Sequence, residues 1–128
     1  MAAKDFLDER GAANAHERGM GNASSAFDQC DEGYQKLYVD FVQNGMYSRT
    51  IFPQPMRELL AVATLTALYR PEELTLHLRY AVRLNPVELV REAIIQAGVY
   101  GGFPSVARGL SLLTAVLAEE DTVLAEGI

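Results

Sequence analysis

The sequence predicts an all-α protein, a single domain of about six helices spanning residues 1–128. Three observations carry that expectation. No stretch alternates apolar and polar residues with period two over a useful length. Turn signals built on Gly, Pro and Asn fall between segments of helix length. Within those segments the apolar residues recur every three or four positions. A chain of 128 residues that is 49% apolar and 22% charged can bury a core without metal or disulfide support.

Each element follows from its own residues. A short amphipathic helix is expected over about 4 to 17, followed by the loop Gly19-Met20-Gly21-Asn22. The segment from about Ser25 to Asn44 carries Phe27, Tyr34, Leu37, Tyr38, Phe41 and Val42 at helical spacing and stops at Asn44-Gly45. Met46 to Pro55 holds two prolines and reads as a loop. From Met56 to about Tyr69 the chain is apolar nearly all round after Glu58, the pattern of a buried helix. Pro71 suits the first turn of the next helix, because its missing N–H would have no intrahelical partner there. That helix runs to about Leu84. Asn85-Pro86-Val87-Glu88 then reads as a start signal, with Asn as N-cap and Pro at the first position. The fifth helix reaches about Tyr100, Gly101-Gly102 breaks it, and Pro104 opens a last helix to about Glu120, after which the tail frays.

Charge and composition exclude several functions. A net charge of −6 and scattered basic residues argue against a nucleic-acid surface, which requires clustered Lys and Arg. No run approaches the roughly 18 apolar residues of a membrane span. The N-terminal MAAKDFLDERG has no apolar core and is not a secretory signal, so a cytoplasmic location is expected. Cys30 is alone, which excludes an intramolecular disulfide and a CxxC pair, and with Asp28 and Asp31 beside it the thiol reads as inert. Two histidines sixty residues apart make a weak case for a metal, and neither a phosphate-cradling glycine loop nor a serine elbow is present. No metal and no cofactor are expected.

The candidate chemistry lies between Arg57 and Pro104. Arg70, Glu73, His77 and Tyr80 recur at spacings of three and four and share one helix face. A carboxylate four residues before an imidazole can orient it and stabilise its protonated form, which suits a general acid working near neutral pH. On spacing alone the commoner outcome is an exposed pair worth roughly 0.2–0.5 kcal/mol to the helix. Glu58, at the start of the buried helix, is the second acidic candidate, although a helix-end charge explains it as well. If the two helices fold back at Arg70, Glu58 lies about 18 Å from the turn and His77 about 10 Å, an offset that side-chain reach, helix crossing or a second subunit must close. Arg70 is suited to hold a carboxylate in a bidentate fork. Arg79, two residues past His77, points elsewhere and reads first as an ion-pair or interface arginine. Tyr100-Gly101-Gly102-Phe103-Pro104 allows close approach of either a ligand or a helix. His16 reads as a surface residue, and Tyr34, Tyr38 and Phe41 as core or subunit contacts.

The run RELLAVATLTALYRPEELTLHLR, followed by NPVELVREAIIQAGVYGGFPSVARGL, resembles the carboxymuconolactone decarboxylase family of the alkyl hydroperoxidase D-like superfamily. Its most specific parts are Arg57, Glu73, the LHLR run with His77 and Arg79, and the Tyr-x-Gly-x-Pro pattern at Tyr100, Gly102 and Pro104. The resemblance implies about six helices, with long helices that assemble into homotrimers or homohexamers. The peroxidase branch has a Glu, a CxxC pair and a His; Glu58 and His77 match the first and last, while Arg70 and Glu73 stand where the cysteines would be. Peroxidase chemistry is therefore lost, and the decarboxylase branch is the one with Arg and Glu at those places. The resemblance implies loss of CO2 from 4-carboxymuconolactone, in aromatic-compound catabolism. For that reaction the residues suggest His77 as proton donor, oriented by Glu73 or Glu58, with Arg70 holding a carboxylate and Arg79, Tyr80 and Tyr100 as further candidate substrate contacts. The chain departs from the family at Tyr69, usually Gly, and at Pro71, usually charged. It also departs over NGMYSRTIFPQP, which lacks the usual tryptophans and Arg-Pro-Gly run. These departures leave open a second substrate class, an aromatic or polyketide-derived molecule altered by an isomerase, lactonase or decarboxylase step. A third reading is a helical binding protein whose His77 and Glu58 are structural.

Overall fold

The computed structural model describes residues 1–19 and 25–126, with side chains through Asp121. Among the described residues there is no strand, and the fold is all-α as expected. The α-helices are α1 (Glu9–Arg18), α2 (Glu32–Tyr38), α3 (Gln54–Leu68), α4 (Pro71–Leu84), α5 (Val87–Gly101) and α6 (Phe103–Glu126). The backbone groups into two compact units, Met1–Gln54 and the chain from Pro55 onward.

In the first unit, aspartates set the helix starts. The Asp8 carboxylate accepts from the Gly11 N–H at 2.7 Å, so α1 begins at Glu9, and Ala3–Phe6 ahead of it forms only a 3-10 turn. Asp31 accepts from Tyr34 N–H at 3.0 Å in the same way. That cap divides the expected helix over 25 to 44: Ser25–Gln29 is a separate 3-10 turn, α2 starts at Glu32, and a π turn over Val39–Gln43 carries it to Asn44. Gly19 ends α1 in the left-handed conformation, while the rest of the expected loop, Met20-Gly21-Asn22, lies outside the described residues.

The interior of this unit mixes the apolar Ala3, Ala15 and Val39 with several buried polar side chains. Arg18 is buried, donates to Gln43 Oε1 at 2.9 Å and lies over the Tyr47 ring at 4.7 Å. Gln35 is also buried, and its amide nitrogen reaches the carbonyls of Met1, Asp28 and Cys30. Tyr38 stacks on Phe27 with centroids 3.8 Å apart, whereas Tyr34, Phe41 and His16 are exposed.

The second unit has an apolar core in which Val62, Leu74, Leu78, Ala81, Val90, Ile94, Leu113 and Val116 meet from all four of its helices. Each large aliphatic side chain fully buried there contributes roughly 1.5–3 kcal/mol. Leu74, Leu78 and Ala81 form the core face of α4 as the periodicity predicts. The expectation that α3 is buried all round is corrected: Val62 and Thr66 are buried, but Leu60, Thr64 and Leu68 form an exposed face. One α4–α5–α6 layer covers only one side of a helix.

Asn85 also differs from its expected role. It is the C-cap of α4, not the N-cap of α5, and its amide nitrogen donates to Ala81 O at 3.2 Å and Pro55 O at 3.0 Å. One side chain thus closes α4 and ties it to the start of α3. Pro86 then takes the N-cap place of α5. At the other end, Gly102 adopts a φ of +85°, and α6 continues to Glu126, beyond the expected stop near Glu120.

Candidate functional site

Glu58 is the fifth residue of α3 and is 2% exposed. An ionised carboxylate so deeply buried requires a partner. His77, in the middle of α4, supplies one: its Nδ1 lies 2.7 Å from Glu58 Oε2, and the imidazole is 15% exposed. Side-chain reach and the crossing of α3 with α4 therefore absorb the axial offset within a single chain. An ionised carboxylate only accepts, so against it Nδ1 would carry the proton and Nε2 would be the nitrogen left for a bound molecule. The buried Tyr80 ring meets the imidazole edge-on, with centroids 5.4 Å apart and planes at 85°. His77 is thus held through one nitrogen and one ring edge.

The remaining sequence candidates are less tightly gathered. Glu73 is exposed and has no hydrogen bond to His77, despite the spacing of four. The carboxylate that meets the imidazole comes from the neighbouring helix instead. Arg70 is exposed at the N-cap of α4 and, among the described residues, has no carboxylate partner. Arg79 gives its fork to Glu119 of α6, with Nε–Oε2 at 2.8 Å and Nη2–Oε1 at 3.2 Å. That contact, the foremost influence on both groups, raises the arginine's pKa and holds the Glu119 carboxyl below the usual range. One turn on, Arg83 pairs with Glu120 at 3.0 Å. Arg79 therefore occupies the ion-pair role that its spacing suggests, and its guanidinium is engaged away from His77. Tyr100 is 89% exposed and lines an open apolar groove of about 430 Å³ with Ala63, Ala67, Leu68 and Gln96.

The Tyr100–Pro104 run gives close helix approach. A Cβ on Gly101 would sit 2.8 Å from the Ala67 Cα, so α5 meets α3 backbone to backbone at this point. Glu119 and Arg108 were not singled out from the sequence. For Glu119 the signal was present, as an acidic pair two helices on from Arg79 and Arg83. Among the described residues, no group of three or more His, Cys, Asp or Glu could hold a metal ion, and no helix is long and apolar enough to cross a membrane.

No curated protein matches this chain. The carboxymuconolactone decarboxylase family does, over residues 32–115, about two thirds of the 128 residues and a span that includes Glu58, His77 and the turn between their helices. With the all-α fold and that buried Glu–His pair in place, the match is decisive: this chain belongs to the carboxymuconolactone decarboxylase family.

Proposed function

We propose that this chain is a cofactor-independent carboxy-lyase of the 4-carboxymuconolactone decarboxylase type, working in the cytoplasm on a small carboxylated lactone. The observation that carries the reading is the 2.7 Å contact between Glu58 and His77 Nδ1, which leaves Nε2 to face a substrate. In the reaction, the bond from the lactone ring to the carboxylate breaks and CO2 leaves. The electron pair spreads through the ring double bond onto the lactone carbonyl, giving a dienolate. The imidazolium of His77 then gives its Nε2 proton to the carbon next to that carbonyl, forming the enol-lactone of 3-oxoadipate. The neutral imidazole keeps its Nδ1 proton on Glu58 and is recharged by solvent. Arg70, exposed and without a carboxylate partner among the described residues, would hold a substrate carboxylate.

The exposed apolar side chains Leu60, Leu68, Val99, Tyr100 and Phe103 support assembly into a homotrimer or homohexamer. A second reading, a tailoring enzyme using the same acid on an aromatic or polyketide-derived substrate, is favoured by the exposed Met46, Ile51 and Phe52 in a chain with no tryptophan. Ultraviolet absorbance of 4-carboxymuconolactone separates the two. Enzyme-dependent loss of the lactone chromophore, with release of CO2, supports the lyase; an unchanged spectrum in the presence of folded protein rejects it.

A further inference from the structure

The turn that joins α3 to α4 has the wrong residue for its shape. Arg70 N–H donates to Leu65 O at 3.0 Å and Tyr69 N–H to Thr66 O at 3.2 Å, the paired bonds of a Schellman helix end. Tyr69 takes the left-handed position of that motif, with a φ of +57°, and among the described residues it is the one non-glycine with positive φ. Glycine fills this position at no steric cost, whereas a side chain there costs roughly 1–2 kcal/mol. A glycine would make the same turn with less strain, so the fold does not account for the tyrosine.

What the strain retains is a ring. Tyr69 is 51% exposed, and the Arg108 guanidinium of α6 lies over its face at 5.5 Å from the centroid. Arg108 is exposed and, like Arg70 next in sequence, has no carboxylate partner among the described residues. A guanidinium over an aromatic face still has N–H groups to offer an anion. The turn therefore sets an exposed ring, with the Arg108 cation of α6 over it, beside the exposed Arg70 one residue along.

We propose that Tyr69 is a specificity-determining residue which, with Arg108 and Arg70, selects a carboxylate carried on a flat, unsaturated ring over one carried on a saturated ring of equal size. A flat ring can continue the Tyr69–Arg108 stack while its carboxylate takes guanidinium N–H donors. A puckered ring offers neither the face nor the fit. The inference rests on the lyase reading for the reaction that such recognition would serve, but the recognition itself can be read without turnover.

The probes are benzoate and cyclohexanecarboxylate, titrated into the full-length protein by calorimetry or by chemical-shift changes. Wild type is expected to bind benzoate roughly fivefold more tightly, the usual size of an aromatic-pair preference. Tyr69→Phe should keep that ratio, and Tyr69→Leu and Arg108→Gln should bring it to about one, each with its helical circular dichroism intact. His77→Ala should keep the ratio while losing any turnover of 4-carboxymuconolactone, which separates failure of the lyase reading from failure of this one. Equal binding of the two acids by wild type, no binding of either, or a wild-type ratio in Tyr69→Leu would overturn the proposal.

Discussion

Glu58 and His77 lie 19 residues apart on two helices, and the buried carboxylate of one meets Nδ1 of the other at 2.7 Å. The contact ties the folding of the second unit to the aim of a single ring. It also makes the two acidic neighbours of His77 separable by experiment, because Glu58 touches the ring and Glu73 is exposed.

Glu58→Gln should lower kcat by roughly 10²–10⁴, the range for loss of general acid–base function. The amide can donate to Nδ1 and so hold the wrong tautomer, leaving shape and packing nearly unchanged. Glu73→Gln should change kcat by less than about threefold, since an exposed i,i+4 contact is worth only a few tenths of a kcal/mol. Steady-state rates on 4-carboxymuconolactone check both, and equal losses in the two variants would reassign the orienting carboxylate.

Gly101 tests the close packing of α5 on α3. A Cβ there would stand 2.8 Å from the Ala67 Cα and 3.3 Å from its carbonyl oxygen, both backbone atoms. Gly101→Ala should therefore destabilise by roughly 1–3 kcal/mol, the cost of overpacking. Gly109→Ala meets instead the Ile94 Cγ2 at 2.8 Å, the end of a side chain. It should cost less, and urea melts of the two variants would rank them.

Leu78 is fully buried at the centre of the core cluster. Leu78→Ala is expected to cost roughly 2–5 kcal/mol through lost transfer energy and the cavity left behind. Chemical denaturation measures it, and a loss under about 1 kcal/mol would mean that the core packs differently.

The pair formed by Arg79 and Glu119 gives a pH dependence with a defined sign. Its hydrogen bond to Arg79 depresses the Glu119 pKa in the folded state from its ordinary 4.5. The pair's contribution is therefore complete above that value and is lost as acidification passes through the lower folded pKa. Both partners are exposed enough for solvent to screen them, so the effect is small. Glu119→Gln should melt slightly below wild type at pH 7 and converge on it near pH 3, as read by thermal melts across that range.

Much of this was legible in the sequence, and the parts that were not have a common cause. Leu74, Leu78 and Ala81 announce their face because they repeat with the helix period, and Pro71 announces the start of α4 because its chemistry is local. Asp8 and Asp31 were available as cap signals, but the apolar periodicity ran past both and suggested longer helices. Asn85 carried a strong local N-cap signal, and the tertiary bond to Pro55 O gave its side chain to α4 instead. For the candidate site, spacing favoured Glu73 because it is a neighbour on the same helix. Glu58 reaches His77 only through the way α3 crosses α4, and no spacing rule encodes that. The left-handed backbone of Tyr69 had no signal in its own residue type, only in the glycine usual at that place in the family it resembles.

The most direct measurement is a double-mutant cycle on kcat with 4-carboxymuconolactone, using wild type, Glu58→Gln, His77→Ala and the double variant. If Glu58 acts by aiming His77, His77→Ala abolishes most of the rate, and adding Glu58→Gln to it changes almost nothing further. Losses that simply add, or near-normal turnover by His77→Ala, would contradict it.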